Sequence, residues 1–175
     1  VMKLSEYPKS IFNTLKLRSK KIQKLQESDK DALPVIVSLT SIPSRLNKVA
    51  ITIRSLMAQE PKPKKIILWL NEGLKTKIPK RLRALEGGIF EIRYSPYTFS
   101  HRKLIHTLEA YPNEVVVTFD DDMIYHKDTL KLLFDTHIKY PNTVVAHRTR
   151  VISQDDAGVV LPYKNWLHIN SKDVF

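Results

Sequence analysis

Apolar positions along this chain fall into two alternating patterns, short continuous runs and helically spaced stripes. Val35-Ile36-Val37-Ser38-Leu39-Thr40 predicts a first strand, and Val49, Ile53, Leu56 and Met57 mark one face of a helix that must end before Pro61. Ile66-Ile67-Leu68-Trp69-Leu70 predicts a second strand ending on Asn71-Glu72, and Thr76 to Leu85 a short helix with Gly87-Gly88 beyond it as the stop. Phe90-Glu91-Ile92-Arg93-Tyr94 reads as a third strand. Leu104, Ile105 and Leu108 mark a helix closed by Pro112, and Val115 to Phe119 reads as a buried fourth strand. Lys127 to Tyr140 then reads as helix with Leu130, Leu133 and Phe134 inward, and Thr143 to Ala146 as a fifth strand. Such alternation implies an α/β domain: a mostly parallel sheet, right-handed crossovers, and helices on both faces.

The ends of the chain depart from this rhythm. In residues 1–33, Ile11, Leu15, Ile22 and Leu25 lie at helical spacing among Lys16, Arg18, Lys20, Lys21 and Lys24, followed by a polar linker. A basic amphipathic helix of this kind over residues 9–25 suits an anionic membrane surface or a partner protein, or docks on its own domain. The main domain is expected over residues 34–150. Residues 151–175 read as an irregular tail, a turn at Gln154 to Gly158 and then Trp166, corresponding to the start of a truncated or minimal acceptor region.

Composition narrows the picture. With 42% hydrophobic and 27% charged residues over 175 positions, a single domain with a real core is expected. No cysteine is present, no apolar run approaches a membrane span, and the N-terminus carries no signal-peptide core. The expected compartment is the cytoplasm, with peripheral attachment to the inner face of the membrane. A net charge of +11 calls for an anionic partner: nucleic acid, an acidic membrane surface or a nucleotide-type substrate. Only 4 glycines are available, and neither G-x-x-x-x-G-K-[ST] nor G-x-G-x-x-G occurs, which argues against P-loop and dinucleotide sites.

The chemistry concentrates in Asp120-Asp121-Asp122, at the carboxyl end of the predicted fourth strand. Ligands bind at that end of open α/β sheets. Adjacent carboxylates repel one another unless a cation neutralises them, and dense oxygen ligands suit Mg²⁺ or Mn²⁺, ions that also hold phosphates. A turn or helix N-cap is the competing reading. The same sheet edge would gather Thr40, Ser41 and Arg45 after the first strand, Asn71 and Glu72 after the second, and Ser100, His101, Arg102 and Lys103 after the third. Metal, cations and side-chain hydrogen-bonding groups together match a nucleoside diphosphate.

In order and content, Val35 to Arg45, Ile67 to Asn71 and Thr118 to Asp122 resemble the nucleotide-sugar half of GT-A glycosyltransferases, closest to the bacterial family 2-like enzymes of surface-polysaccharide synthesis. The specific motif is Asp-x-Asp, and the likeness covers about residues 34–150. The resemblance implies a Rossmann-like GT-A fold and a Mn²⁺- or Mg²⁺-dependent transfer from a nucleotide-sugar donor, UDP-linked, to a saccharide or lipid-linked acceptor. It implies that Asp122 coordinates the metal, that Asp120 faces the ribose or the metal's water shell, and that Asp121 belongs to the donor site. Asn71 would meet the uracil, where many relatives carry Asp. Thr40, Ser41 and Arg45 would lie by the nucleotide, and Arg102 and Lys103 near base or phosphates. An inverting enzyme also needs a carboxylate base, and Asp155, Asp156 and Asp173 are unplaced for that role.

Other readings stand beside this one. Metal-dependent nucleotidyl transfer would want a better phosphate loop than Thr40-Ser41-Ile42-Pro43, and a non-catalytic nucleic-acid binder would want RNA-binding aromatic motifs that are absent. No nucleic acid is expected as partner. Arg102 and Lys103 read alternatively as the exposed start of a helix. His101 and His106 lack a partner at ligand spacing, and Trp69 reads as core. Tyr163 and Trp166 read as a tail anchor or an acceptor platform, and His147, Arg148 and Arg150 as the end of a strand on the site edge.

Overall fold

A computed structural model describes residues 7–169. They divide into two compact units that part between Phe134 and Asp135.

The first unit is built on four parallel strands, β1 (Leu33–Thr40), β2 (Pro63–Asn71), β3 (Phe90–Ser95) and β4 (Val115–Thr118), in the order β3-β2-β1-β4. Period-two alternation divides the sheet. Val35, Val37, Leu39, Ile66, Leu68, Leu70, Phe90 and Ile92 face one side, where Val49, Ile53, Leu56 and Met57 of α3 (Leu46–Met57) cover them. Ile36, Ile67 and Trp69 face the other, beside Tyr111 and Val116. Parallel strands buried on both faces read as unbroken apolar runs, which is why β1 and β2 are evident in the sequence.

The winding order of the strands reverses at one place in the sheet. From β1 the order runs outward through β2 and β3, then returns to put β4 on the other flank of β1, with Ser38 opposite Thr118. The carboxyl ends of β1 and β4 thus form the switch-point crevice where ligands bind in open α/β sheets. As the terminal strand, β4 is half-buried rather than buried.

Several elements differ from their sequence signals. The segment predicted from Thr76 shrinks to α4 (Lys80–Arg83), because Pro79 offers no N–H and disfavours helix at Ile78, which turns into the core. At Gly88 a positive φ of 56° brings the backbone so close that a Cβ would lie 2.0 Å from the Gln26 carbonyl oxygen. The helix α5 (Arg102–Ala110) presents the face opposite to that predicted: Leu104, Ile105 and Leu108 are exposed while Arg102 and Thr107 are buried. Hydrogen bonding decides the orientation. Thr107 Oγ1 accepts from the Trp69 indole at 2.8 Å and pairs with Ser38 Oγ at 2.8 Å, so the sheet meets α5 through polar groups.

The N-terminal basic stretch is two helices, α1 (Tyr7–Ser19) and α2 (Ile22–Gln26), rather than one. Both are docked, through buried Leu17 and Leu25 and through Arg54, whose Nη1 donates to the carbonyls of Leu17 and Lys20 at 3.0 Å each. Ile11, Phe12 and Leu15 remain exposed on the outer side of α1. No helix among the described residues is long and apolar enough to cross a membrane.

The helix α6 (Thr129–Lys139) spans the division, and its Leu130 is buried in the first unit's core, where its N–H donates to Gln59 Oε1 at 2.9 Å. In the second unit the predicted strand Thr143–Ala146 does not form: Val144 is 98% exposed and the segment joins no sheet. Among the described residues this short run, Thr143-Val144-Val145-Ala146, pairs with no neighbouring strand. The region expected to be an irregular tail instead pairs β5 (Thr149–Val151) antiparallel with β6 (Leu167–Ile169). Asp173 lies outside the described residues.

Candidate functional site

The acidic triplet leaves β4 in an ordered turn, and its three carboxylates are placed differently. Asp121 is buried. Its Oδ2 accepts from Ser41 Oγ at 2.5 Å, its Oδ1 from Arg45 Nη1 at 2.7 Å, and its backbone carbonyl from Thr52 Oγ1 at 3.0 Å. These three partners come from the β1 terminus, the 3-10 turn Pro43–Arg45 and α3. Asp120 and Asp122 are thereby held on either side of a fixed point, with side chains 70% and 53% exposed.

Each exposed carboxylate has one cation beside it. Lys103 Nζ reaches Asp120 Oδ1 at 2.9 Å and the Phe119 carbonyl at 3.0 Å. Arg45 Nη1 reaches Asp122 Oδ2 at 3.2 Å while holding Asp121, and the hydrogen bond to Asp121 followed by the three neighbouring charges raises the Arg45 pKa. Among the described residues nothing hydrogen-bonds Asp120 Oδ2 or Asp122 Oδ1, and no three His, Asp or Glu side chains converge as a metal cage. Two open carboxylates fit a hard divalent ion that keeps waters and takes its remaining ligands from phosphate oxygens, and they do not fit a closed protein-only site.

A second network joins β1, β2 and the loop before α5. Arg102 is buried, its Nε donating to Thr40 Oγ1 at 2.6 Å, its Nη2 to the Ser41 carbonyl at 3.1 Å and its Nη1 to the Tyr97 carbonyl. Thr40 Oγ1 in turn donates to the Trp69 carbonyl at 2.8 Å. Burial lowers the Arg102 pKa, and all of these partners are uncharged. A guanidinium with no carboxylate on it leaves net positive charge at the sheet edge, favourable to an anion nearby. The structure therefore brings Thr40, Ser41, Arg45, Arg102, Lys103, Asp120, Asp121 and Asp122 to one edge. Asn71 stands apart: its Nδ2 donates to the Pro96 carbonyl and its Oδ1 accepts from Gly73 N–H, each at 2.9 Å, so both ends of the amide serve its own loop.

Three supporting residues carry no obvious sequence signal. Thr52 fixes the Asp121 backbone, and Ser55 Oγ accepts from Tyr125 N–H at 3.1 Å. Tyr125 closes the turn, its hydroxyl accepting from Asp120 N–H at 3.0 Å and donating to the Asp120 carbonyl at 3.2 Å, with its ring edge-on to Phe119 at 4.5 Å. Burial, aided by the three carboxylates, pushes the Tyr125 hydroxyl up to about 12. A tyrosine that ionises near 10 when unfolded and near 12 when folded stabilises the fold fully below pH 10 and loses that contribution as pH rises towards 12. Tyr125→Phe is expected to flatten the decline in urea midpoint between pH 10 and 12. An unchanged decline would show that Tyr125 does not govern it.

The remaining candidates are engaged elsewhere. His106 sits between Ser95 Oγ and Glu109 Oε2, each at 3.1 Å, and stacks with Tyr97. In the second unit Asp155 Oδ1 accepts from Ala157 and Val159 N–H, a hairpin-turn role, and Arg150 stacks on Tyr163 at 4.6 Å. Trp166 donates its indole N–H to the Leu161 carbonyl at 2.7 Å. No family model matches the chain, and no curated protein matches it closely enough to count as a relative.

Proposed function

We propose that the first unit binds a nucleotide-sugar donor through a divalent metal and serves glycosyl transfer of the GT-A type. The observation that carries this reading is the arrangement of the acidic triplet at the β1/β4 switch point. Asp121 is locked by Ser41, Arg45 and Thr52, and Asp120 and Asp122 flank it as exposed carboxylates, each with an open oxygen.

Asp122 and Asp120 would hold Mn²⁺ or Mg²⁺ together with the donor's diphosphate. When bound, the ion supplies Lewis-acid stabilisation of the departing nucleoside diphosphate. The chain's own part is positional and electrostatic. Arg45 and Lys103 share the charge of carboxylates and phosphates, and Ser41 and Thr52 keep the triplet from turning away. Arg102 braces the β1 terminus against the Tyr97 loop and adds uncompensated positive charge behind the site. The acceptor in this reading is a saccharide or a lipid-linked saccharide.

A calorimetric titration of UDP tests the proposal. Binding is expected in Mn²⁺ and is expected to vanish in EDTA. Equal binding in both, or none in either, would overturn it.

A further inference from the structure

Beside the acidic triplet opens a cavity of about 1240 Å³, formed by the inner side of α1, the outer side of α3 and the short α4, and reaching Asp121 and Asp122. It is larger than the roughly 300–1,000 Å³ typical of a pocket for one small molecule. Among the described residues six cations line it: Arg18 from α1, Arg45, Lys48 and Arg54 around α3, and Lys80 and Arg81 from α4. Among the described residues the carboxylates lining it are Asp121, which is buried and already held by Arg45, and Asp122. Among the described residues Arg18, Lys48, Lys80 and Arg81 make no ion pair.

Like charges gathered with few counter-charges cost stability; the Arg54 pKa is lowered chiefly by burial, with Arg18 adding to the effect. A fold that tolerates this in one concave surface has a use for an anion there. We infer that this groove binds an extended anionic saccharide, bearing phosphate or carboxylate groups along its length, and leads it to the Asp122 end of the site as the acceptor.

Three features separate this ligand from other anions. The volume exceeds what a single phosphate or nucleotide needs. Asn13, Thr14 and Asn47 stand among the cations and offer hydrogen bonds to sugar hydroxyls. Among the described side chains no aromatic ring lines the groove, whereas single-stranded nucleic acid is held largely by base stacking on aromatic side chains. The role as acceptor rests on the donor reading above, while the anion site itself does not.

The test measures fluorescence anisotropy of the whole chain with three labelled oligomers of equal length: neutral dextran, oligogalacturonate and glycerol-phosphate oligomer. At least one anionic probe is expected to bind ten-fold or more tighter than dextran, and which one identifies carboxylate or phosphate as the recognised group. Lys80→Glu with Arg81→Glu, both exposed on α4, is expected to weaken that probe at least ten-fold and leave Mn²⁺-dependent UDP binding unchanged. Lys30→Glu with Lys77→Glu, a charge-matched pair outside the groove, is expected to weaken it less than three-fold. Dextran binding as tightly as the anionic probes, or the control pair losing as much as the α4 pair, would overturn the inference. Probe binding that survives while UDP fails to bind would sink the donor reading and leave the groove as an anion site.

Discussion

Asp121→Ala is expected to destabilise the first unit by about 3 kcal/mol, roughly 6–12 °C in Tm for a chain of this size. The carboxylate is buried with both oxygens bonded, at 2.5 Å to Ser41 and 2.7 Å to Arg45. Charge-assisted hydrogen bonds of this kind are the strong ones, and truncating one partner of a buried pair costs on the order of 3–5 kcal/mol. The Arg45 side chain is 45% exposed and can return to water, which places the figure at the low end of that range. Removing the carboxylate also strands the Ser41 hydroxyl. Asp121→Asn keeps the shape and one acceptor oxygen, so about half the loss is expected. Urea unfolding of the three proteins decides the matter: an Ala variant within about 0.5 kcal/mol of the parent would show that Asp121 is not the anchor described.

The same residue shows where sequence reading stops. Asp120, Asp121 and Asp122 are chemically identical, and only the fold distinguishes them. Their difference arises from Ser41, Arg45 and Thr52, which lie 69 to 80 positions earlier in the chain. Local pattern carries no trace of such pairings. Pattern did carry β1, β2, β3 and α3, because β1 and β2, covered on both faces, read as unbroken apolar runs, while the edge strand β3 and the one-sided helix each impose a periodicity on their own residues. It failed at α5, where Leu104, Ile105 and Leu108 form a plausible inward stripe. The sheet instead offers Ser38 and the Trp69 indole at that surface, and satisfying those buried polar groups outweighs covering three apolar side chains. It failed again at Thr143–Ala146, because strand formation there depends on a neighbouring strand that the segment itself cannot announce. Arg102 shows the converse. The exposed start of a helix is one of its two readings from the sequence, yet it is 2% exposed, since the Thr40 hydroxyl and the Ser41 and Tyr97 carbonyls converge on its guanidinium.

Asp122→Asn is expected to reverse the Asp121 phenotype, sparing the fold and removing the ligand. Its carboxylate is 53% exposed and its contact with Arg45 is a 3.2 Å pair at the surface, of the kind that adds little to stability. In the proposed site the same carboxylate is one of two that hold the metal. Replacing it by a neutral amide removes a full negative charge and leaves a single, weaker amide oxygen as ligand, a larger change than loss of an outer-shell partner, which itself costs roughly 10–100-fold in metal affinity. UDP affinity in Mn²⁺ is therefore expected to fall at least about 100-fold, to the level seen with EDTA. The urea midpoint is expected to stay close to that of the parent. Asp120→Asn should follow with a smaller loss, because Lys103 already neutralises part of that carboxylate. Parent-like UDP binding by Asp122→Asn would remove the metal site from the carboxyl end of β4. Equal losses of stability at Asp121 and Asp122 would mean that the triplet is a turn and nothing more.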